Sequence, residues 1–220
     1  MRVLYKSLLI LSKLEERYGW LAKTIQCMAL CEACHTCLPS SLSIPGVIEP
    51  MTKANSDSSK KAIFHAVAEV LAQHGLNATT VDSERPWGGF YVIDEAQTAQ
   101  FIDVYFGAER GEIALGEQKL SPKILIVEPE KRLSWQYHHR RTELWKVVNG
   151  KAGVMLSETD QETTVETQNI GDVIRIGSQL RHRIVGLDSW GVLAEIWQHS
   201  DPANPSNEDD IVRVNDDFGR

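Results

Sequence analysis

The chain has 220 residues, a hydrophobic content of 42% and a formal net charge of -7 at pH 7. This length allows one ordinary domain with extensions, and the apolar content is sufficient for a buried core. The negative charge leaves no basic patch for phosphates, which argues against a nucleic-acid partner. No apolar run reaches the roughly 20 residues that span a bilayer, so no membrane segment is predicted.

The first 50 residues differ in character from the rest. They combine a Leu-rich stretch, Val3–Leu14, with a Pro/Ser loop through Pro50, and show no consistent period of 2 or 3.6. The stretch resembles a signal peptide only loosely, because charged residues follow at once without a small-residue cleavage site. We interpret residues 1–50 as a poorly defined extension upstream of a natural start at Met51. The alternative is a folded N-terminal module.

All four cysteines lie in this extension, at Cys27, Cys31, Cys34 and Cys37. Four thiolates at such spacing suit zinc or an iron–sulfur cluster, and the first three resemble the cluster loop of radical SAM enzymes. A radical SAM enzyme needs a large barrel behind that loop, for which the chain has no room. We therefore favour non-native or disordered sequence over a metal site here. Without cysteine elsewhere, the main domain is predicted to be cytoplasmic and free of disulfides.

Residues 51–84 are predicted to form an N-terminal helical segment. Apolar residues recur at helical spacing over residues 60–74, and Gly75 is placed to end this helix. A second short helix is predicted over Ala96–Phe106. We expect both helices to be structural rather than functional.

From Leu120 onward, short apolar runs separated by turn residues predict strands. The predicted strands are Lys123–Val127, Arg132–His138, Leu144–Val148, Gly153–Leu156, Thr163–Glu166, Asp172–Ile176, His182–Val185 and Val192–Trp197. Asn149-Gly150 is a strong hairpin signal. The regular spacing indicates an antiparallel barrel or sandwich rather than βαβ units. An acidic tail over residues 201–220 follows.

A cluster of potential metal ligands lies between two of these strands. Gln136, His138 and Glu143 fall within eight residues, on one predicted hairpin, and His182 lies on a distant strand. Alternate residues of a strand share a face, so Gln136 and His138 point into the barrel while His139 points away. A lone His or Glu in a strand is more often a surface residue, but the whole set predicts a small site. Its donors suit zinc, manganese, iron or cobalt.

Several further segments carry a family resemblance. They are Arg85-Pro86-Trp87-Gly88, Pro129–Glu143 with Trp145, Gly150, Gly171-Asp172 with His182, Glu208–Arg213 and Asp217–Arg220. Taken in order, they resemble the cupin domain of type II mannose-6-phosphate isomerases. In many organisms that domain is the C-terminal part of a bifunctional enzyme that also has mannose-1-phosphate guanylyltransferase activity.

The resemblance implies a mainly all-β fold with short N-terminal helices. A single cupin barrel, a jelly roll of the double-stranded β-helix type, is expected over residues 85–200, with residues 201–220 packed on it as a tail. It also implies a divalent metal, zinc first, with manganese, cobalt or iron as alternatives. The implied ligands are Gln136, His138, Glu143 and His182.

The implied reaction is aldose–ketose isomerisation of mannose 6-phosphate to fructose 6-phosphate, or of a close analogue such as a phosphoheptose. The metal would polarise the C1 and C2 oxygens while an unidentified base moves a proton. Lys123, Arg141 and Arg213 are candidates to hold the phosphate. Of these, we assign Arg141 to substrate binding and Lys123 and Arg213 to catalysis. The alternative for each is a solvated surface charge, and for Arg213 it is a salt bridge to Asp209 or Asp210.

Other functions remain open at this point. Arg140 and Leu144 stand where the family usually has histidine, at positions expected to border the site. No Gly-rich nucleotide loop appears upstream, so guanylyltransferase activity is not predicted. The alternatives are a non-catalytic metal cupin that binds a sugar or nucleotide-sugar, and a cupin enzyme of another class, such as an iron dioxygenase. A homodimer would be favoured by an outward aromatic face with candidates Trp135, Tyr137, Trp145 and Trp197.

Overall fold

The computed structural model of the protein describes residues 60–116, 118–201 and 203–219. The interpretations of residues 1–50, the start at Met51 and the cysteine cluster concern residues outside these ranges. No helix in the described part of the chain is long and apolar enough to cross a membrane.

Two helices precede most of the sheet structure. Helix α1, Lys60–Gln73, has the predicted apolar face, and the chain after it turns at Gly75, where φ is +66°. The second predicted helix begins as a 3-10 turn, Glu95–Gln97, which the Asp94 side chain caps by accepting a hydrogen bond from the Ala96 amide. It continues as α2, Thr98–Tyr105. Both helix predictions are therefore confirmed, with small changes at the ends.

The described residues contain eleven strands and two further 3-10 turns, Arg110–Glu112 and Glu208–Asp210. In chain order the strands are β1 (Ala78–Asp82), β2 (Gly88–Ile93), β3 (Lys123–Val127), β4 (Trp135–His138), β5 (Arg141–Asn149), β6 (Ala152–Ser157), β7 (Glu166–Gln168), β8 (Val173–Ile176), β9 (Arg181–Val185), β10 (Gly191–His199) and β11 (Ile211–Asn215). Strands β1, β2 and β11 were not predicted from the sequence.

The strands form two antiparallel sheets. The first has the order β1-β2-β3-β10-β5-β8, and the second has the order β11-β4-β9-β6-β7. Mainly β structure in two antiparallel sheets, with few helices, confirms the predicted cupin fold. The tail contributes β11, which pairs with β4 at one edge of the second sheet.

Strand β3 of the first sheet is buried on both faces. Ile124 and Ile126 belong to one apolar cluster with residues of α1 and α2, whereas Leu125 and Val127 belong to a second cluster with residues of the second sheet. Because successive side chains of a strand point to opposite faces, the run Lys123–Val127 is apolar almost throughout. The interior between the two sheets is therefore the place where side chains of both sheets meet.

The strand pairing predicted for two hairpins, β4 with β5 and β5 with β6, is wrong. β4 pairs with β9 and β11, while β5 pairs with β8 and β10, so the turn at His139–Arg140 connects the two sheets. The turn at Asn149–Gly150 likewise joins β5 to β6 of the other sheet. Turn residues identify a reversal of the chain, but they do not determine which strands pair. As a result, Gln136 and Glu143 come from facing sheets.

Gly88, in the Arg85–Gly88 segment, provides a test of the fold. Its φ is +136°, and a Cβ there would overlap the carbonyl oxygen of Ile126 on β3. We expect Gly88→Ala to lower the free energy of unfolding by at least about 3 kcal/mol, because both strain and overlap must be relieved. Gly111→Ala is the matched control, since an added Cβ there meets no atom within 4 Å.

Urea unfolding of the two variants measures this difference. Gly111→Ala should stay within about 0.5 kcal/mol of the unmodified chain. If Gly88→Ala unfolds at the same urea concentration as Gly111→Ala, the close approach of β2 to β3 is wrong.

Candidate metal centre

Three of the four predicted ligands come together between the sheets. His138 on β4 and His182 on β9 belong to the second sheet, and Glu143 on β5 belongs to the first. All three side chains are buried, and one ligand atom from each lies within 4.8 Å of the others. Residues that are distant in the sequence thus come together, because β4 and β9 are neighbours in one sheet and β5 faces them.

The atoms of this group are compatible with a metal site. His182 Nδ1 lies 2.8 Å from the Leu180 carbonyl oxygen, to which it donates its proton, so Nε2 carries a lone pair. That Nε2 lies 3.5 Å from Glu143 Oε2, and both atoms are buried without a hydrogen-bond partner among the described residues. Buried acceptors without a donor are costly, and a cation between them supplies what both lack. The donor set therefore fits a divalent ion.

Burial and nearby charges hold His182 and Glu143 in the protonation states that suit metal binding. Burial lowers the pKa of His182 to about 4, so the imidazole is neutral at pH 7. Burial acts to raise the pKa of Glu143, but the charges of Arg141 and His138 outweigh it and hold this pKa well below its ordinary value. The carboxylate is therefore ionised, and no proton has to leave either residue before a metal binds.

Gln136, the fourth predicted ligand, lies beside this group. It stands directly opposite His182 in the register of β4 and β9. Its side-chain oxygen accepts a hydrogen bond of 2.6 Å from the Ser134 hydroxyl. Gln136 and Glu143 both line the same cavity. Ligation of a metal by the Gln136 amide oxygen remains a prediction. His139 is exposed, in agreement with the expectation that it is not a ligand.

Arg141 is the cation that neutralises Glu143 in this structure. Its side chain is 2% exposed, and Nε donates a hydrogen bond of 2.8 Å to Glu143 Oε1. Nη1 donates to the Ser206 hydroxyl at 3.0 Å, and the guanidinium lies 3.4 Å above the Trp197 ring. Nη2 is also 3.1 Å from His138 Nε2. The residue predicted to hold the substrate phosphate therefore has its donors engaged with protein.

A cavity of about 460 Å³ opens beside the candidate metal-binding group, which consists of His138, Glu143 and His182. Its charged and amide-bearing lining residues are Arg85, Lys123, Gln136, Arg141, Glu143, Glu195, Glu208 and Arg213. The structure thus brings Lys123 and Arg213, both predicted to act in catalysis, to the same space as Gln136 and Glu143.

The two predicted catalytic cations differ in their surroundings. Lys123 is mostly buried, with Nζ 3.6 Å from the Trp197 ring centroid and 3.3 Å from Glu208 Oε1. Arg213 is exposed on β11 and has no ion pair within the described residues. The alternative of a salt bridge from Arg213 to Asp209 or Asp210 is not observed in the described part of the chain, and Asp210 pairs with Arg140 instead, at 3.2 Å.

Three expectations about neighbouring residues need correction. Leu144 does not border the site, because it packs in the cluster with the helices on the opposite face of β5. Arg140 is directed to Asp210 rather than to the cavity. Trp135, Trp145 and Trp197 are all buried, so they form no outward aromatic face, and the homodimer remains a prediction without that support.

Glu195 was missed as a site residue. It lines the cavity from β10 and is buried. A signal was present, since Glu195 is the one charged residue in the apolar run Val192–Trp197. A carboxylate in such a run must be paired, neutral or functional, because burying an isolated charge is costly.

Parts of this chain are similar in sequence to known proteins. A family model described as mannose-6-phosphate isomerase C-terminal matches residues 112–216. The xanthan biosynthesis protein XanB of Xanthomonas campestris pv. campestris is 32% identical over 136 residues, which are 62% of this chain and 23% of the relative. The alginate biosynthesis protein AlgA of Pseudomonas aeruginosa is 31% identical over 160 residues, 72% of this chain and 27% of the relative. The chain spans about a quarter of the length of these curated relatives.

Similar solved structures include the capsular polysaccharide assembling protein CapF from Staphylococcus aureus, with a TM-score of 0.41 and 16% identity over 64% of this chain and 34% of that one. Another is oxalate decarboxylase from Lactobacillus farciminis, with a TM-score of 0.43 and 14% identity over 62% of this chain and 34% of that one. These likenesses carry no functional argument. The family match, the two relatives and the two-sheet fold agree with one another. Residues 112–216 of this chain therefore match the mannose-6-phosphate isomerase C-terminal family.

Proposed function

We propose that this protein is a metal-dependent isomerase that interconverts an aldose phosphate and a ketose phosphate. Mannose 6-phosphate and fructose 6-phosphate are the first substrate pair, and a phosphoheptose is the close alternative. The observation that carries the proposal is the buried group of His138, Glu143 and His182 beside a cavity lined by Lys123 and Arg213. The two relatives are named for xanthan and alginate biosynthesis, and the supply of a sugar phosphate fits such a process.

Each part of the site has a task in this reaction. His138, Glu143 and His182 would hold the ion, with Gln136 as the fourth ligand. Zinc is the first candidate, and manganese, cobalt and iron are the alternatives; when bound, the ion supplies Lewis-acid polarisation of the substrate oxygens. The site is open toward the cavity that Gln136 and Glu143 line, and an open side distinguishes such a site from a closed structural one.

Arg213, Lys123 and Arg141 have different surroundings, and we assign them different roles. Arg213 is exposed at the cavity and has no ion pair within the described residues, so we assign the substrate phosphate to it. Lys123 is held against Trp197 inside the cavity, where a fixed positive charge stabilises negative charge that develops on a substrate oxygen. Arg141 keeps Glu143 ionised from behind rather than contacting the phosphate.

An enzyme-coupled assay of the full chain tests this function. Mannose 6-phosphate is offered to protein loaded with zinc, manganese or cobalt, and the formation of fructose 6-phosphate is followed. We expect turnover that stops on addition of a chelator and returns on addition of metal, and none with unphosphorylated mannose. If metal-loaded, folded protein converts neither mannose 6-phosphate nor a phosphoheptose, the proposed isomerase function is wrong. Binding of a sugar without turnover would identify a sugar-binding cupin.

A further inference from the structure

The carboxylate of Glu195 lies in a row of side chains that crosses the first sheet. In the register of the strands, Glu195 on β10 stands opposite Lys123 on β3 and opposite Trp145 on β5. All three line the cavity. The sheet therefore presents a carboxylate, flanked by a cation and an indole, to the space where a substrate would lie.

One oxygen of Glu195 is fixed and the other is only weakly held. The Trp145 indole N–H donates a hydrogen bond of 2.9 Å to Oε1. Oε2 lies 3.9 Å from Lys123 Nζ, which is closer to Glu208 Oε1, at 3.3 Å. An oriented carboxylate with one oxygen outside any short hydrogen bond is suited to exchange a proton with a ligand in the cavity.

The environment of Glu195 suits both acceptance and release of a proton. Burial, reinforced by the negative charge of Glu143, raises the pKa of Glu195 to about 7, and the charge of Lys123 only partly opposes this. A group that moves a proton in both directions works best when its pKa is close to the working pH.

The position of Glu195 relative to the metal-binding group is the third observation. Glu143 stands opposite Trp197, two residues along β10 from Glu195, and both side chains line the cavity. Such diagonal neighbours lie about 7–8 Å apart on one face of a sheet. A substrate whose oxygens are held beside Glu143 therefore has its adjacent carbon atoms within reach of Glu195.

We propose that Glu195 is the catalytic residue that carries the proton between C2 and C1 of the sugar phosphate. This assignment rests on the proposed isomerase function and adds to it the identity of the base.

The proton balance of the step is complete without a further reactant. Glu195 removes the hydrogen on C2 as a proton, and the C2–H electron pair becomes the C1–C2 double bond while the carbonyl π pair moves to the C1 oxygen. The protonated carboxyl of Glu195 then returns a proton to C1, where the pair of the C1–C2 double bond forms the new C–H bond. The proton of the C2 hydroxyl moves to the C1 oxygen, and the O–H electron pair that it leaves forms the C2 carbonyl of the ketose.

The test uses the metal-loaded full chain and its Glu195→Gln variant, with Glu166→Gln as the matched control on an exposed position of β7. We expect Glu195→Gln to lower kcat by about 1000-fold, within the usual range for general acid–base catalysis, with KM changed by less than about threefold. Metal content should equal that of the unmodified chain. In D2O, the unmodified chain should introduce deuterium at C1 of fructose 6-phosphate, and Glu195→Gln should not exchange the C2 hydrogen of mannose 6-phosphate.

A shorter carboxylate gives a second check in case the amide disturbs the fold. Glu195→Asp should keep measurable turnover and solvent deuterium incorporation, because a carboxylate is still present. If Glu195→Gln is folded, metal-loaded and as active as Glu166→Gln, the assignment of Glu195 is overturned while the isomerase function stands. If the unmodified chain converts no phosphosugar, both proposals are overturned.

Discussion

Glu143→Gln is expected to lower phosphosugar turnover by at least about 1000-fold, the largest effect of any single substitution at the metal-binding group. Glutamine keeps the shape of the side chain but removes the negative charge. Glu143 lies close to both histidines, with Oε1 3.1 Å from His138 Nε2 and Oε2 3.5 Å from His182 Nε2. Without that charge, the two imidazoles remain next to the positive charge of Arg141, which opposes binding of a cation.

The coupled assay with saturating metal measures the loss, and Glu166→Gln again serves as the control. Circular dichroism establishes that the variant is folded before its activity is compared. If folded Glu143→Gln keeps more than about a tenth of the activity of the control, the carboxylate is not needed for the reaction, and the site lies elsewhere in the cavity.

Arg141→Met is expected to destabilise the metal-free protein by about 3 kcal/mol. The substitution leaves a buried carboxylate without its main positive partner, which is the costly way to break a buried pair. It also removes the donors to Ser206 and to His138. A bound divalent ion neutralises the same carboxylate, so metal should raise the free energy of unfolding more in Arg141→Met than in the unmodified chain.

Chemical unfolding with and without added zinc measures both quantities. Arg213→Met is the matched control, because Arg213 lines the same cavity but is exposed on β11. We expect its stability to stay within about 0.5 kcal/mol of the unmodified chain. Equal destabilisation by the two substitutions, or a deficit in Arg141→Met that zinc leaves unchanged, would show that Arg141 does not act through Glu143.

Strand periodicity was enough to predict which residues of β4 face the candidate metal centre. Gln136 and His138 are two apart, so they share a face, and His139 is excluded by the same rule. The identity of the pairing strands was beyond this rule. Whether the chain re-enters the same sheet or crosses to the facing one at His139–Arg140 depends on long-range register, which a local turn signal does not encode. The crossing is nevertheless what places Glu143 opposite the two histidines.

The roles of the arginines also depended on tertiary structure. Arg141 and Arg213 look alike in the sequence, as single cations near predicted ligands. Arg141 has a buried neighbour in Ser206, 65 residues away along the chain, whereas Arg213 is exposed at the edge strand. Burial of a charge is decided by the elements packed around it, so only the assembled sheets separate the charge that stabilises Glu143 from the charge available to a substrate.

The metal content of the purified full chain tests whether His138, Glu143 and His182 bind a metal ion. After incubation with zinc and removal of free metal, ions per chain are counted for the unmodified protein and for Glu143→Gln. Any ion held by the cysteines near the N-terminus is common to both proteins and cancels in the difference. We expect the unmodified chain to hold one ion more than the variant. Equal metal content in the two folded proteins would contradict a metal centre at His138, Glu143 and His182.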